Sequence, residues 1–198
     1  GRPERFRLAP DFLPRERRRP EDTVGLVRVE EERLRRALLN LILIARQENK
    51  LLRLSEYLEN NFKVKTLVIP VDLSQPGAAA EVFRKVCEKS VNVDYLVNNA
   101  GVYVQGSFSQ TSWEEELKLV QLQCLTHTQL IKLFLPEMLK QRKGGILNVG
   151  STGSFVPGPY NAVYCAAKSF VLSLSEAVAE EVSGTGVTVT ALCPGGTR

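Results

Sequence analysis

The chain has 198 residues, 43% hydrophobic and 24% charged, with a formal net charge of +4. That balance fits one globular domain with a real core and excludes a collagen-like fibre, a disulfide mini-protein and a wholly disordered tail. The positive charge is local: residues 1–36 hold 11 Arg, no Lys and 8 acidic residues, whereas residues 37–198 are nearly balanced.

Residues 1–36 therefore read as an Arg-rich, partly disordered extension with room for a short strand and a helix start. Its interleaved acids (Glu4, Glu16, Glu21, Asp22) argue against a nucleic-acid or membrane partner, and it offers no apolar segment for a secretory signal. The chain opens on Gly and its only Met is Met138, which reads as a piece of a longer frame or a frame with altered ends. Cys87, Cys124, Cys165 and Cys193 form no C-x-x-C pair, and the only His is His127. No metal site is expected. The cysteines read as small apolar fillers in a reducing, cytoplasmic setting.

From residue 41 strands alternate with helices. Leu41–Ala45 is a short apolar run that reads as a buried strand. Apolar residues then recur at helical spacing from Leu51 to Asn60, and Val64–Asp72 is a second strand. Pro76 opens a helix that runs to about Cys87. Val93–Val97 is a third strand, ending at Asn98-Asn99-Ala100-Gly101. A long amphipathic helix from Trp113 to Lys140 is expected to be bent or interrupted near Pro136. Gly145–Val149 is a fourth strand, Asn161–Val182 a helix, and Val187–Cys193 a fifth strand stopped by Pro194-Gly195-Gly196. Repeated β-α-β units imply a parallel, doubly wound α/β sheet, in which ligands bind beyond the carboxyl ends of the strands. Arg46, Asp72, Asn98, Ser151 and Pro194 all end or follow a strand.

Tyr164 and Lys168 are four residues apart on one helix, so both side chains share a face. A phenol near pKa 10 is a poor proton carrier at neutral pH, and a neighbouring cation favours its phenolate. Ser151, at a strand end, could polarise a carbonyl that the phenol protonates. By itself the spacing also fits a plain surface pair.

Taken with Asn98–Gly101 and the Pro194-Gly195 turn, this constellation resembles the short-chain dehydrogenase/reductase family over residues 40–198. The resemblance implies a Rossmann-like fold and hydride transfer between NADP(H), with NAD as the alternative, and a small-molecule alcohol or carbonyl. It implies Tyr164 as proton donor or acceptor, Lys168 as the group that lowers its pKa and holds the nicotinamide ribose, and Ser151 as the ligand of the substrate oxygen. Gln123 stands where the family usually has the Asn that holds a relay water. Cofactor contacts would come from Arg46, Asp72, Leu73, Asn98, Ala100, Gly101, Tyr164, Lys168, Pro194, Gly195 and Thr197. Arg46 suits a 2′-phosphate and so favours NADP(H), though it also fits a solvated strand end; Asp72 would meet the adenine amino group or merely cap its loop. The long helix and the Asn161–Val182 helix would form the family's usual homodimer or homotetramer interface.

The chain departs from the family at both ends. The family's glycine-rich phosphate loop is missing: in its register the first glycine falls on Glu21, the second on Gly25 and the third on Val27. The chain also stops at Arg198, before the family's last strand. The sheet is therefore expected to be incomplete. The rival reading is a non-catalytic remnant or interaction module that has lost its cofactor. Trp113, Tyr160 and His127 read as packing or loop residues.

Overall fold

A computed structural model describes residues 40–195. The Arg-rich segment, the glycine-loop register and Thr197 lie outside the described residues. Those described form two compact units, 40–70 and 71–195.

In the first unit, β1 (Leu41–Ala45) pairs in parallel with β2 (Thr66–Pro70). The intervening helix α1 (Glu48–Phe62) buries Leu51, Leu58 and Phe62 against Leu43 and Val64. With half-buried Leu54 between them, these helix residues recur at steps of three, four and four, the stripe a helix needs to cover a sheet. Lys63 ends the helix in the left-handed conformation and donates its N–H to Glu59 O.

The second unit is a parallel sheet in the order β3–β4–β5: Tyr95–Asn98, Gly144–Val149 and Val187–Leu192. Register pairs Leu96 with Ile146 and Asn98 with Asn148. Strand residues alternate in facing, so these four line one buried face, while Tyr95 and Val97 on the other are exposed. That alternation accounts for the mixed composition of β3, which a strand covered on both faces would not show. The sheet is α/β, parallel and incomplete, as expected.

Helix α2 (Ala78–Glu88) begins after Gly77, whose φ of 82° is not helical, so Pro76 belongs to the preceding turn rather than to the helix. Phe83 of α2 meets Phe134 edge-on at 5.3 Å. The long helix divides into α3 (Trp113–Val120), a π turn (Gln121–Thr126) and α4 (His127–Gln141). Ser112 caps α3 by accepting from the Glu115 N–H. The expected interruption at Pro136 is not where the irregularity lies. Pro136 is exposed inside α4, on the side where the carbonyl it leaves unpaired can turn to water. The π turn buries Leu122, Gln123, Cys124 and Thr126 together, more of one short segment than a regular stripe can face inward.

Helix α4 packs on β3 and β4, and α5 (Ala162–Glu181) on β4 and β5. By length and composition alone, α5 is also long and apolar enough to cross a membrane. Its buried residues nevertheless include Lys168 and Ser175, the marks of a helix packed on a polar interior. Gly186, with φ 91°, leads into β5 so close to the end of α4 that a Cβ would stand 2.1 Å from Arg142 O, which only glycine permits.

Candidate active site

Because β3, β4 and β5 run parallel, their carboxyl ends share one edge, and the loops leaving them carry Ala100-Gly101, Gly150-Ser151 and Cys193–Gly195. Two backbone bonds zip the last two loops together: Gly150 N–H to Leu192 O at 2.7 Å and Thr152 N–H to Pro194 O at 2.9 Å.

Ser151 starts a single 3₁₀ turn, Thr152–Ser154. Its Oγ accepts from Gly153 N–H at 3.1 Å, and its own N–H donates to Ser154 Oγ at 3.2 Å. Ser154 Oγ donates to Lys168 O at 2.9 Å, and Ser169 Oγ donates to Ser154 O at 2.8 Å. The turn is thus fastened to α5, while the Ser151 hydroxyl keeps its proton for a further acceptor.

From α5 come Tyr164 and Lys168. A Cβ on Gly153 would lie 3.5 Å from Ser151 Oγ and 3.8 Å from Tyr164 Cε1, so the hydroxyl and the phenol ring flank one point. The Tyr164 ring is held edge-on by Tyr103 at 4.8 Å. Lys168 is 4% exposed. Its Nζ donates to Val149 O at 2.8 Å and lies 5.8 Å from the Tyr164 ring centre. Burial pulls the Lys168 pKa down to about 8, with Cys193 and Cys124 acting weakly the other way.

Gln123 is wholly buried in the π turn, and its Nε2 donates to Val102 O at 2.7 Å. A Cβ on Gly101 would stand 3.7 Å from Gln123 Oε1 and 3.8 Å from Lys168 Nζ. Ser151, Tyr164, Lys168, Gln123 and Gly101 are therefore brought together.

The other expected positions divide. Asn98 turns its side chain inward, Nδ2 donating to Asn148 Oδ1 at 2.8 Å, so any ligand contact there falls to its backbone. Asp72 accepts from Ser74 N–H at 3.0 Å and from Ser74 Oγ at 2.7 Å, the loop-capping use of its carboxylate. Leu73 O accepts from Thr126 Oγ1 at 2.9 Å. Ala100 is half-buried, Pro194 is tied to Thr152, and Gly195 is exposed beyond it. Arg46 is exposed at the end of β1 in the first unit.

Sequence reasoning missed Tyr103, Gly153, Ser154 and Asn148. Only Tyr103, two residues beyond Gly101 at a strand end, carried a positional signal. The rest act through contacts between segments distant in the chain.

A family model described as short chain dehydrogenase matches residues 28–198. The chain belongs to the short-chain dehydrogenase family. It is thereby a member of a family of NAD(P)-dependent oxidoreductases with a Rossmann-like fold. It is similar to a 7beta-hydroxysteroid dehydrogenase of Collinsella aerofaciens, 30% identical over 159 residues that make up 80% of this chain and 60% of that one. It is also similar to a very-long-chain 3-oxoacyl-CoA reductase of Bos taurus, 30% identical and covering 87% of this chain and 56% of that one. Among solved structures, the bulky-bulky ketone specific alcohol dehydrogenase of Comamonas testosteroni superimposes with a TM-score of 0.78 at 33% identity, over 85% of this chain and 66% of that one. A short-chain dehydrogenase of Sphingobium yanoikuyae in complex with NADPH gives 0.78 at 32% identity, over 85% and 65%. This chain thus spans between 56% and 66% of the length of these relatives.

Proposed function

We propose that the protein is an NADP(H)-dependent oxidoreductase acting on an alcohol or carbonyl, with Ser151, Tyr164 and Lys168 as its catalytic residues. The observation that carries this reading is the common point at Gly153, flanked by Ser151 Oγ and the Tyr164 ring. A carbonyl oxygen there would accept the Ser151 hydroxyl and take the Tyr164 phenol proton as charge develops on it. Lys168, held by Val149 O behind the ring, favours the phenolate that remains. The bound dinucleotide supplies or receives the hydride. Gln123 keeps the amide of the family's relay position on an arm one methylene longer.

The chain's own residues fit the nicotinamide half. Gly101 leaves bare backbone beside Lys168, and the linked Gly150–Ser151 and Pro194-Gly195 loops border Tyr164 and Lys168. Asp72, Leu73, Asn98, Ala100 and Thr197 would complete the cofactor contacts, with Asn98 and Ala100 acting through backbone. The Arg46 guanidinium favours a 2′-phosphate, hence NADP(H) over NAD. The pyrophosphate has no glycine loop in this sequence, so affinity should be modest.

Beside Tyr103 opens a polar cleft of about 570 Å³, lined by Gln105, Ser107, Gln110, Thr111 and Glu115. It suits the hydroxylated far end of a bulky ketone or secondary alcohol. The relatives named for a 7beta-hydroxysteroid and for bulky ketones support that substrate class. Exposed Leu117, Leu125 and Phe170 on the long helix and α5 support a homodimer or homotetramer. Four cysteines without disulfides support a reducing, cytoplasmic setting.

Calorimetric titration of the full chain with NADPH and NADH tests the cofactor assignment. NADPH binding that is tighter than NADH binding, and that Arg46→Ala weakens about tenfold, is expected. No binding at millimolar dinucleotide would leave the non-catalytic remnant as the better reading.

A further inference from the structure

The cleft beside Tyr103 has a lopsided hydrogen-bond inventory. Thr111 Oγ1 gives its proton to Glu116 Oε1 at 2.7 Å, and Ser112 Oγ gives its proton to Glu114 Oε2 at 2.6 Å. Backbone donors of the lining are spent as well: Gly106 N–H on Tyr160 O, Gln110 and Thr111 N–H on Ser107 O, and Glu115 N–H on Ser112 Oγ. A hydroxyl whose proton is committed can only accept from a ligand. Thr111, Ser112 and the Glu115 carboxylate therefore line the cleft as acceptors. The Gln105 and Gln110 amides serve in either sense.

Charge points the same way. Among the described residues, Glu115 is the one charged side chain in the lining. Glu114 and Glu116 flank it, so the first turn of α3 carries three consecutive carboxyl groups. The Ser112 bond holds the Glu114 carboxyl below its usual range, which keeps it ionised at neutral pH. The amino end of a helix attracts an anion, but here the chain's own glutamates already fill that role. Lys118, one turn further on, offsets part of their charge. Tyr103 lines this cleft and packs edge-on against Tyr164 at 4.8 Å, so cleft and phenol share a wall.

We propose that this cleft selects the substrate by charge: it takes a far end that donates hydrogen bonds, an ammonium before a hydroxyl, and rejects a carboxylate, sulfate or phosphate. An ammonium has three donors and no acceptor, the complement of this lining. An anion would bring further acceptors to a wall of acceptors and set its charge beside a like one. Glu115 is the specificity-determining residue, because it is the group in the lining that discriminates by sign of charge. The inference rests on the reading of this cleft as the seat of the substrate's far end, and narrows that end to a donor-bearing, non-anionic one.

Binding titrations of the full chain, followed by ¹⁵N NMR, test this without cofactor or turnover. The probes are bicyclic ketones of one skeleton that bear an ammonium, a hydroxyl or a carboxylate at the end far from the carbonyl. At about 20 mM salt the ammonium probe should bind about tenfold more tightly than the carboxylate probe, with the hydroxyl probe between them. The gap should narrow at about 0.5 M salt. Shifts should centre on the Gln105 and Gln110 side-chain amides. Glu115→Gln should bring the two charged probes within about threefold of each other, and Glu115→Lys should invert their order. Glu115 is exposed, so both variants should keep the fold. Equal affinity of the wild type for the two charged probes, an order unchanged in Glu115→Lys, or no probe bound at millimolar concentration would overturn the proposal. Neither dinucleotide nor reaction enters the readout, so absent turnover would count against the oxidoreductase reading and not against this one.

Discussion

Ser151 Oγ and the Tyr164 ring stand on either side of Gly153, so that a single methyl there would lie 3.5 Å from the hydroxyl oxygen and 3.8 Å from Cε1. The serine comes from the tip of β4 and the tyrosine from the first turn of α5, and Ser154 and Ser169 lock the two segments together. Gly153 itself is held by its N–H bond to Ser151. Cys165 Sγ, 3.1 Å from the same point, closes its third side.

Gly153→Val should therefore lower turnover, and because a Cβ there already stands 3.1 Å from buried Cys165 Sγ it should cost stability as well. Its branches would fill the space between hydroxyl and ring, and misplacement on that scale costs about a hundredfold in kcat/KM. Steady-state kinetics beside a thermal melt check this. A large fall in Tm with kcat/KM per folded molecule unchanged would contradict it.

Lys168 supplies a pH dependence. Its folded pKa of about 8 lies below the ordinary value of 10.5 because burial disfavours the ammonium. As pH rises through about 8 the free protein loses that charge, so kcat/KM for carbonyl reduction should fall about tenfold per pH unit above it. Stability runs the opposite way. Between pH 8 and 10.5 the unfolded chain holds a proton that the folded chain has released, so stability rises by about 3 kcal/mol relative to Lys168→Met. Urea unfolding at the two ends of this window measures the difference.

His127 makes a separate contribution at acid pH. Its folded pKa of about 3 is below the ordinary 6.5, so its share of stability is full above pH 6.5 and is lost as pH falls toward 3. Between pH 7 and pH 5 the wild type should lose about 2 kcal/mol more than His127→Leu. Equal losses in urea titrations would mean that the ring titrates alike in both states.

The alternation of strands and helices and the Tyr164–Lys168 pairing were legible because both are local periodicities, of two and of about four residues. Of the strand ends expected to carry ligands, those after β3, β4 and β5 share one edge of the second unit, whereas Arg46 and Asp72 follow the strands of the first. The π turn was not legible. Gln121–Thr126 has no breaker residue, whereas Pro136 is a strong breaker that solvent exposure renders harmless. Asp72 offered two readings from sequence, and bonds from Ser74 and Gln75 put its carboxylate to loop-capping use. His127 read as structural on a helix face. Its closeness to Gln123 and Lys168 depends on β3, the π turn and α5 meeting, which no single segment encodes.

Asn148 joins the sheet to α5. Its Oδ1 accepts from Asn98 at 2.8 Å and its Nδ2 donates to Ser175 Oγ at 2.9 Å, all within the buried interior. Asn148→Ala strands a buried donor on β3 and an acceptor on α5, and should cost about 2–4 kcal/mol. Urea unfolding measures this, and a loss below about 0.5 kcal/mol would mean that water replaces the amide.

The central claim is that the Tyr164 phenol carries the proton in a dinucleotide-dependent reduction. The most direct measurement is NADPH oxidation by a bulky ketone, with wild-type protein and Tyr164→Phe, alongside NADPH binding to each. Turnover by the wild type and loss of at least about a thousandfold in the variant are expected, with NADPH affinity changed less than about threefold. Equal turnover by both proteins would contradict it.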